Sequence, residues 1–404
     1  MPIPTTLFYH LQGIRKYQVS SFKEKKGEIV YNIVPKEKVK PCKCPFCQGE
    51  KIYSNGKTRR TFTGVPTWPH KTKICLEIHK YYCPNCGKYF QASIPFAKRG
   101  KSYTRRLEKY VISRLKSMTI KDVACDTGLA EKTVREIHKA YLEKKYRTVP
   151  LEGVQYIAVD EFAIHKGHKY MTVVLNLETG LVLHVSEGRN REALISFYRR
   201  VKRNKIKIVA IASDMSVPFI SAIEEFFPQA IHVFDRFHMA KIINETITNI
   251  RRRIYNNMPE GTAKQGLKDS RFILLKRPWN LNPEKSEPRR LETALKSNAD
   301  LYTAYLLKEE LLDIWEMDDS DQAEGYLLDQ IKYMESTQIP ELHRLAKTLR
   351  NHAIGILSFI DCPISTGRLE GLNNKIKTLK RRGYGYRDKD YFKLLVLDIN
   401  QKSD

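Results

Sequence analysis

The feature that most constrains the fold is a series of strand and helix patterns between residues 155 and 240. Three segments rich in Val, Ile, Leu and Tyr follow one another and predict three successive strands, at residues 155–162, 169–177 and 181–186. Helical spacing and apolar runs then alternate, predicting a helix at 191–203, a buried strand at 207–213, a helix at 217–227 and a strand at 230–234. Three strands followed by alternating helices and strands is the order of a ribonuclease-H-like sheet, although periodicity alone also allows other mixed α/β folds.

The net charge of the chain indicates the kind of partner it binds. Lys and Arg number 71 against 45 Asp and Glu, which gives a formal net charge of +26. A balance this basic favours nucleic acid, bound through its phosphates, over the alternative of a merely soluble basic protein. We find no apolar run near the roughly 20 residues of a membrane span, no basic amphipathic anchor and no signal-peptide pattern. We therefore expect a cytoplasmic protein with no membrane partner.

Six of the eight cysteines lie between positions 42 and 86, and four of them form two Cys-x-x-Cys knuckles. The knuckles Cys44–Cys47 and Cys83–Cys86 can turn four thiolates toward one ion, which is the pattern of a structural Zn²⁺ site in a zinc ribbon. Strand-like segments at 57–63 and 72–82 lie between them. Cys42 could replace one of the four ligands, whereas Cys75 falls in an apolar strand pattern and is expected in a core.

A helix-turn-helix pattern occupies residues 118–141 of a basic helical stretch. A short helix at 120–125 precedes Gly128, where a tight turn needs a positive φ, and a second helix follows at 130–141. In this motif the N-terminal part of the second helix enters the major groove of DNA. The candidate DNA contacts are therefore Lys132, Thr133 and Arg135. An ordinary helical hairpin with charged outer faces remains the alternative.

Two carboxylates stand at the ends of predicted strands. Asp160 follows the apolar residues of the first strand, and Asp214 follows the fourth. In the ribonuclease-H order these strands are neighbours, so the two carboxylates would face one another and would repel unless a cation joined them. Oxygen ligands of this kind suit Mg²⁺ or Mn²⁺. Taken singly, Asp214 could be an ordinary helix cap and Asp160 an ordinary strand-end acid.

A third ligand is expected on a late basic helix that contains Glu370. The helix has a buried stripe of Leu369, Leu372 and Ile376, with Asn373 and Asn374 close to Glu370. Its outer side carries cations that suit DNA phosphates: Lys375, Lys377, Lys380, Arg381 and Arg382. Glu370 taken alone could be a solvated surface acid.

These motifs together resemble the DDE transposases of bacterial insertion sequences, and most of all the ISL-three group. The resemblance spans nearly the whole chain and rests on Val159-Asp160-Glu-Phe, Ser213-Asp214-Met-Ser and Gly367-Arg-Leu-Glu370-Gly-x-Asn-Asn. It implies that Asp160, Asp214 and Glu370 hold two Mg²⁺ or Mn²⁺ ions. The run Val233-Phe-Asp235-Arg-Phe-His238 matches a further signature and implies accessory active-site roles for Asp235 and His238, which could otherwise be a helix cap and an exposed helical His.

The resemblance also implies a function and a domain order. Such an enzyme binds the terminal inverted repeats of its element, cleaves DNA with water and then joins a DNA 3′-hydroxyl to target DNA, acting as a homodimer on double-stranded DNA. The alternatives are a structure-specific nuclease of the same fold and a DNA-binding regulator with an inert catalytic domain. We predict a multidomain α+β protein: zinc ribbon 1–100, helix-turn-helix 101–150, ribonuclease-H-like domain 151–240 and 361–404, and helical insertion 241–360.

Overall fold

The computed structural model describes residues 5–37, 41, 43–67, 69–165, 169–383 and 386–400. These residues fall into two compact units. The first comprises the described residues of Met1–Arg147 with Arg382–Arg387, and the second those of Thr148–Arg381 with Asp388–Asp404. No helix among the described residues is long and apolar enough to cross a bilayer.

The first unit begins with a five-stranded sheet beside one helix. Its elements are α1 (Thr5–Gln12), β1 (Tyr17–Lys25), β2 (Glu28–Pro35), β3 (Tyr53–Thr63), β4 (Lys71–Cys83) and β5 (Lys88–Gln91). The strand order is β1-β2-β4-β3, and β5 pairs with the end of β4. Alternate residues of β4, such as Ile74, Leu76 and Ile78, point into a core with Phe8 and Phe62. The opposite face of β4 carries exposed Glu77 and His79.

Three helices complete the first unit: α2 (Arg105–Leu115), α3 (Ile120–Thr127) and α4 (Glu131–Lys145). Thr119 and Asp122 form a capping box that begins α3, and Gly128 ends it with φ of 69°, as the turn pattern predicts. Val134 and Ile137 of α4 are buried in the small core that the three helices share. The sheet is tied to these helices because the backbone of Thr63 bonds to Ser102 and Thr104, with N···O distances of 2.8 and 3.0 Å.

The second unit is built on a mixed five-stranded sheet. Its α/β elements are β6 (Tyr156–His165), β7 (Lys169–Asn176), β8 (Val182–Glu187), α5 (Glu192–Arg203), β9 (Ala210–Ser213), α6 (Val217–Phe226) and β10 (Ile231–Phe234). The predicted succession of strands and helices is thus present. The sheet order is β10-β9-β6-β7-β8, with β9 parallel to both neighbours and β6, β7 and β8 antiparallel. Strand β9 is shorter than the predicted 207–213: Val209 donates to the Gln155 carbonyl at 2.8 Å and accepts from the Ile231 N–H at 2.9 Å, and the paired strand begins at Ala210.

The described residues from 236 to 383 contain helices and no strand, as predicted for most of that region. The α-helices are α7 (Arg236–Asn257), α8 (Thr262–Lys268), α9 (Arg271–Leu275), α10 (Glu287–Lys296), α11 (Ala299–Asp313), α12 (Ser320–Ser336), α13 (Pro340–Asp361) and α14 (Gly367–Arg382), and α15 (Lys389–Asp398) follows. Short 3₁₀ turns occur at Pro278–Asn280 and Ile314–Glu316.

Two stretches of the sequence with helical periodicity, residues 291–315 and 325–357, are each divided into two helices by a local signal. The stretch 291–315 breaks where the side chain of Asn298 accepts from the Leu301 N–H and caps α11. The stretch 325–357 breaks before Pro340, which disfavours helix in the residue preceding it. Helix α13 then packs closely on β10, since a Cβ added to Gly355 would lie 2.5 Å from the Phe234 ring.

Candidate active site and metal centre

Asp160 and Asp214 lie where the hydrogen-bonded ladder between the parallel strands β6 and β9 ends, although β6 itself continues to His165. In the β6–β9 ladder Val159 is paired with Ser213, and each is followed directly by one of the two aspartates. Neighbouring strands are about 4.8 Å apart, so the side chains of Asp160 and Asp214 lie next to each other on the same face of the sheet. Burial raises the pKa of both carboxyls, and the Asp214 charge raises the pKa of Asp160 further. The arrangement therefore concentrates negative charge where water is partly excluded.

Both carboxylate oxygens of Asp160 are fixed by hydrogen bonds. Asn373 of α14 donates its Nδ2 to Asp160 Oδ2 at 2.7 Å, and the Glu161 N–H donates to Oδ1 at 2.7 Å. Lys380 also joins α14 to β6, donating Nζ to the Ala163 carbonyl at 2.6 Å. Helix α14 thus lies against the strand that carries Asp160, although 213 positions separate the two bonded side chains.

Glu370 lies on the same helix but is not held at the strand ends. It is exposed, and it precedes Asn373 by about one helical turn. Within the described part of the chain, the carboxylates of Asp160, Asp214 and Glu370 do not all come within 4.8 Å of one another. The helix predicted to bring the third ligand is beside Asp160, and the role of Glu370 itself stays a prediction.

Two residues beside Asp160 were not assigned a role from the sequence. Asn373 is bonded to the Asp160 carboxylate, and Glu161 follows Asp160 on β6. Glu161 Oε2 and Asn373 Oδ1 are buried and have no hydrogen-bond donor among the described residues. Burial and the Asp214 charge raise the pKa of Glu161, and Arg189 lies 3.7 Å from its other oxygen. The carboxylates of Asp160, Glu161 and Asp214 do not all come within 4.8 Å of one another among the described residues. The Asn373 oxygen, whose amide bonds Asp160, is therefore the unpaired acceptor that suits a hard cation beside the aspartates. In the sequence Glu161 and Asn373 belong to the adjacent pairs Asp160-Glu161 and Asn373-Asn374. Spacing alone does not show which member of each pair points toward the site.

Asp235 and His238 form a hydrogen-bonded pair at the start of α7. Asp235 is the N-cap, accepting from the Phe237 N–H at 3.1 Å and from His238 Nδ1 at 2.8 Å. Burial acts to raise the pKa of Asp235, but its bonds to His238, Thr366 and Phe237 outweigh that and lower it. The bond to Asp235 raises the pKa of His238, helped by the charges of Asp214 and Asp160. The capping role is therefore real, and His238 also lies within electrostatic reach of both strand-end acids.

The four knuckle cysteines converge at one point in the first unit. Their Sγ atoms all lie within 4.8 Å of one another, with Cys44–Cys86 at 3.7 Å and Cys47–Cys83 at 3.6 Å. Thiolates 2.3 Å from a tetrahedral Zn²⁺ would be about 3.8 Å apart, so the geometry fits that ion. Cys42 lies outside the described residues. Cys75 is buried, but it alternates with the core residues Ile74 and Leu76 and so lies on the other face of β4.

Both knuckles have the same backbone form. The residue after each second cysteine has positive φ, 61° for Gln48 and 67° for Gly87. Each donates its N–H to the carbonyl of the first cysteine, Gln48 to Cys44 at 3.0 Å and Gly87 to Cys83 at 2.9 Å. The sequence indicates this turn only at Gly87, because Gln rarely adopts such a conformation.

The candidate DNA-contacting cations are mostly exposed. Lys132 and Arg135 are exposed in the first half of α4, with Thr133 half-buried. On α14 Lys375, Lys377, Arg381 and Arg382 are exposed. Lys375 donates to Asn400 Oδ1 at 2.8 Å, and the Lys380 ammonium is engaged by Ala163, so these two would have to exchange a protein partner for a phosphate.

Comparison with known proteins defines the class to which this architecture belongs. Residues 157–396 match a family model described as a transposase of the DDE type. Residues 92–142 match the helix-turn-helix domain of transposase family ISL3. The chain belongs to the ISL3 family of transposases, and it is a DNA-processing protein with a helix-turn-helix DNA-binding domain.

Curated relatives carry corresponding names. The chain is 31% identical over 356 residues to the transposase for insertion sequence element IS1001 of Bordetella parapertussis, covering 87% of each chain. It is 24% identical over 373 residues to the transposase for insertion sequence element IS1557 of Mycobacterium tuberculosis, covering 85% of this chain and 82% of that protein. A solved Drosophila P element transposase strand transfer complex matches 80% of this chain at 12% identity, with a TM-score of 0.38.

Proposed function

We propose that this chain binds the terminal inverted repeats of an insertion sequence and catalyses metal-dependent DNA cleavage and strand transfer. Asp160, Asp214 and Glu370 would hold two Mg²⁺ or Mn²⁺ ions. The observation that carries the proposal is the pair of half-buried aspartates at the end of the β6–β9 ladder, with α14 bonded to one of them. The strand order supports a ribonuclease-H-like domain made of residues 151–240 and 361–404, interrupted by the helical insertion 241–360.

The residues at the end of the β6–β9 ladder are suited to binding divalent cations. Burial raises the pKa of both aspartates, and the Asn373 oxygen beside Asp160 is buried without a donor among the described residues. Ions bound there would supply Lewis-acid stabilisation of charge during an in-line phosphoryl displacement. No covalent protein–DNA intermediate is needed, so no Ser or Tyr nucleophile is assigned.

The chain's own residues would orient these groups. The Glu161 N–H and the Asn373 amide hold the Asp160 carboxylate in one orientation. Asp235 holds His238 through Nδ1, which leaves the Nε2 side of the ring for the DNA phosphate or a proton. We assign Asp235 and His238 accessory roles of this kind.

Zinc and DNA complete the proposed partners. The four knuckle thiols would hold one structural Zn²⁺, and Lys132, Thr133 and Arg135 would read bases at the transposon end. The cations of α14 would contact phosphates near the reacting bond. Because two ends must be joined, we propose that the chain acts as a homodimer on DNA.

The function is tested by incubating the purified chain with Mg²⁺, a duplex carrying a terminal repeat and a target duplex. We expect nicking at the repeat end followed by joining of the new 3′-hydroxyl to the target. Cleavage without joining would favour the structure-specific nuclease, and specific binding without cleavage would favour the inert regulator. Either result would overturn the transposition proposal.

Asn373 is proposed as a positioning residue for Asp160. Asn373→Ala removes the donor to Asp160 Oδ2 and is expected to lower the cleavage rate about 10- to 100-fold, the usual cost of losing an outer partner of a metal ligand. The concentration of Mg²⁺ needed for half-maximal rate should rise, whereas duplex binding should stay unchanged. Rates measured across a Mg²⁺ series check this.

Asn374→Ala is the matched control, because Asn374 is the adjacent residue on α14 and is exposed. It should cleave at nearly the wild-type rate with unchanged Mg²⁺ dependence. If Asn373→Ala lowers the rate but leaves the Mg²⁺ dependence unchanged, its bond to Asp160 does not serve metal binding.

A further inference from the structure

The sheet of the first unit has an open polar face opposite its core. Pairing between strands places Ser21, Asn32 and Cys75 in one row across β1, β2 and β4, with Lys23 in the next row. A groove of about 1830 Å³ lies over this face and is lined from all four long strands and from residues 15–17 and 92–95. We call it the basic groove.

The lining of the basic groove is strongly cationic. Seven Lys or Arg against three Glu line it among the described residues. Lys16, Lys23 and Lys25 have no carboxylate within 4.0 Å in the described part of the chain, and all three are exposed. The cations are therefore available to an anionic ligand. A surface that packs against another layer of protein would instead be mostly uncharged.

The polar groups of the groove are held in place before any ligand arrives. Arg59 donates to Asn32 Oδ1 at 2.9 Å, and the Asn32 amide donates to Ser21 Oγ at 2.9 Å. Arg59, Asn32 and Ser21 belong to β3, β2 and β1 of the same sheet. Their hydrogen bonds hold the Arg59 guanidinium and the Ser21 hydroxyl in fixed positions on it. Side chains fixed in this way lose little conformational freedom on binding an extended phosphate chain.

The sheet that carries the groove contacts the helix-turn-helix within the same unit. Lys71 shares the open face of β4 with Lys73 and Glu77, and a Cβ added to Gly128 of the turn would lie 2.9 Å from Lys71 Cδ. Backbone bonds of Thr63 to Ser102 and Thr104 fix the sheet to the start of α2. One DNA molecule bound by α4 therefore has a second cationic surface in the same compact unit.

We propose that the basic groove binds the phosphate backbone of double-stranded DNA beside the segment that α4 reads. The proposal rests on the proposed function, in which α4 recognises the terminal repeat. Contacts to phosphates carry no sequence information, so the groove adds affinity and salt dependence, and α4 adds specificity.

The test is the triple variant Lys16→Ala, Lys23→Ala, Lys25→Ala in the full chain. Dissociation constants are measured for a terminal-repeat duplex and a random duplex over a series of NaCl concentrations. We expect binding of both duplexes to weaken about tenfold or more at moderate salt, and the slope of log K against log[salt] to fall by roughly 2 to 3. The ratio of specific to random binding should not change.

Two comparison variants separate the groove from its surroundings. Lys132→Ala with Arg135→Ala should lower the ratio of specific to random binding, because these residues face the bases in the proposal. Lys296→Ala, Lys332→Ala and Lys347→Ala remove the same charge from exposed positions on α10, α12 and α13. This last variant should leave the slope near the wild-type value. Melting curves and zinc content check that each variant is folded.

Several results would overturn the proposal. An unchanged slope in the groove variant, or an equal fall in the control variant, would show that the groove makes no phosphate contacts of its own. A change in sedimentation with unchanged DNA binding would assign the groove to a second copy of the chain, and preferential loss of RNA binding would assign it to RNA. If the slope falls but the wild type shows no preference for terminal repeats, the groove stands and terminal-repeat recognition fails.

Discussion

Asp214→Asn should abolish DNA cleavage while leaving duplex binding intact. The substitution keeps the size of the side chain and its bond to the Ser216 N–H but removes the charge that a divalent ion needs. Loss of about 4 kcal/mol of transition-state stabilisation corresponds to a rate about 1,000-fold lower. End nicking of a labelled duplex in Mg²⁺ measures the rate, and gel mobility shift measures binding.

Glu224→Gln is the control for Asp214→Asn, since Glu224 is an exposed carboxylate on α6, the helix that follows Asp214. It should cleave normally. Glu370→Gln belongs in the same experiment and is also expected to abolish cleavage. Full activity of Asp214→Asn would remove it from the site, whereas full activity of Glu370→Gln alone would leave Asn373 as the contribution of α14.

Cys44→Ser combined with Cys83→Ser is expected to abolish zinc binding and to unfold the knuckle end of the first unit. One sulfur is taken from each knuckle, and both are completely buried. A structural Zn²⁺ site contributes on the order of 10 kcal/mol, more than a small sheet can replace. The zinc content measured by elemental analysis should fall from about one ion per chain to none. The melting temperature should be lower and binding to transposon-end DNA weaker.

The matched control for the zinc prediction is Cys125→Ser, because Cys125 is exposed on α3 and belongs to neither knuckle. It should keep its zinc. Unchanged zinc content in the double variant would refute the four-thiolate site. Zinc loss with unchanged end binding would limit the site to folding and separate it from DNA recognition.

Local patterns in the sequence predicted most of the elements, because periodicity and turn residues act over a few positions. Gly128, the knuckles and the strands that carry Asp160 and Asp214 are such cases. Strand β2 was not predicted although residues 29–34 are mostly apolar, and β1 was not predicted because it has a single buried residue, Tyr17, and otherwise polar or exposed positions. The apolar alternation that identifies a half-buried strand is missing there.

The site itself was predicted only in part, for a different reason. Adjacent strand order brings Asp160 and Asp214 together, and strand order follows from the succession of elements. The partner of Asp160 on α14 depends on the rotation of a helix about its axis, which decides between Glu370, Asn373 and Asn374. That rotation is set by the burial of Leu369, Leu372 and Ile376 against the rest of the unit, and spacing alone does not fix it.

The bond between Asn373 and Asp160 has a consequence for how the protein is made. The ribosome delivers both strand-end aspartates well before the last helices, and synthesis at about 5–20 residues per second leaves an interval of many seconds between them. During that interval the nascent chain can form its DNA-binding unit and most of the sheet, yet it lacks the helix that orients Asp160. Products cut short by a frameshift or by proteolysis before α14 would bind DNA without breaking it. If the chain cleaves DNA as proposed, the order of segments along the gene would withhold that activity until the chain is nearly complete.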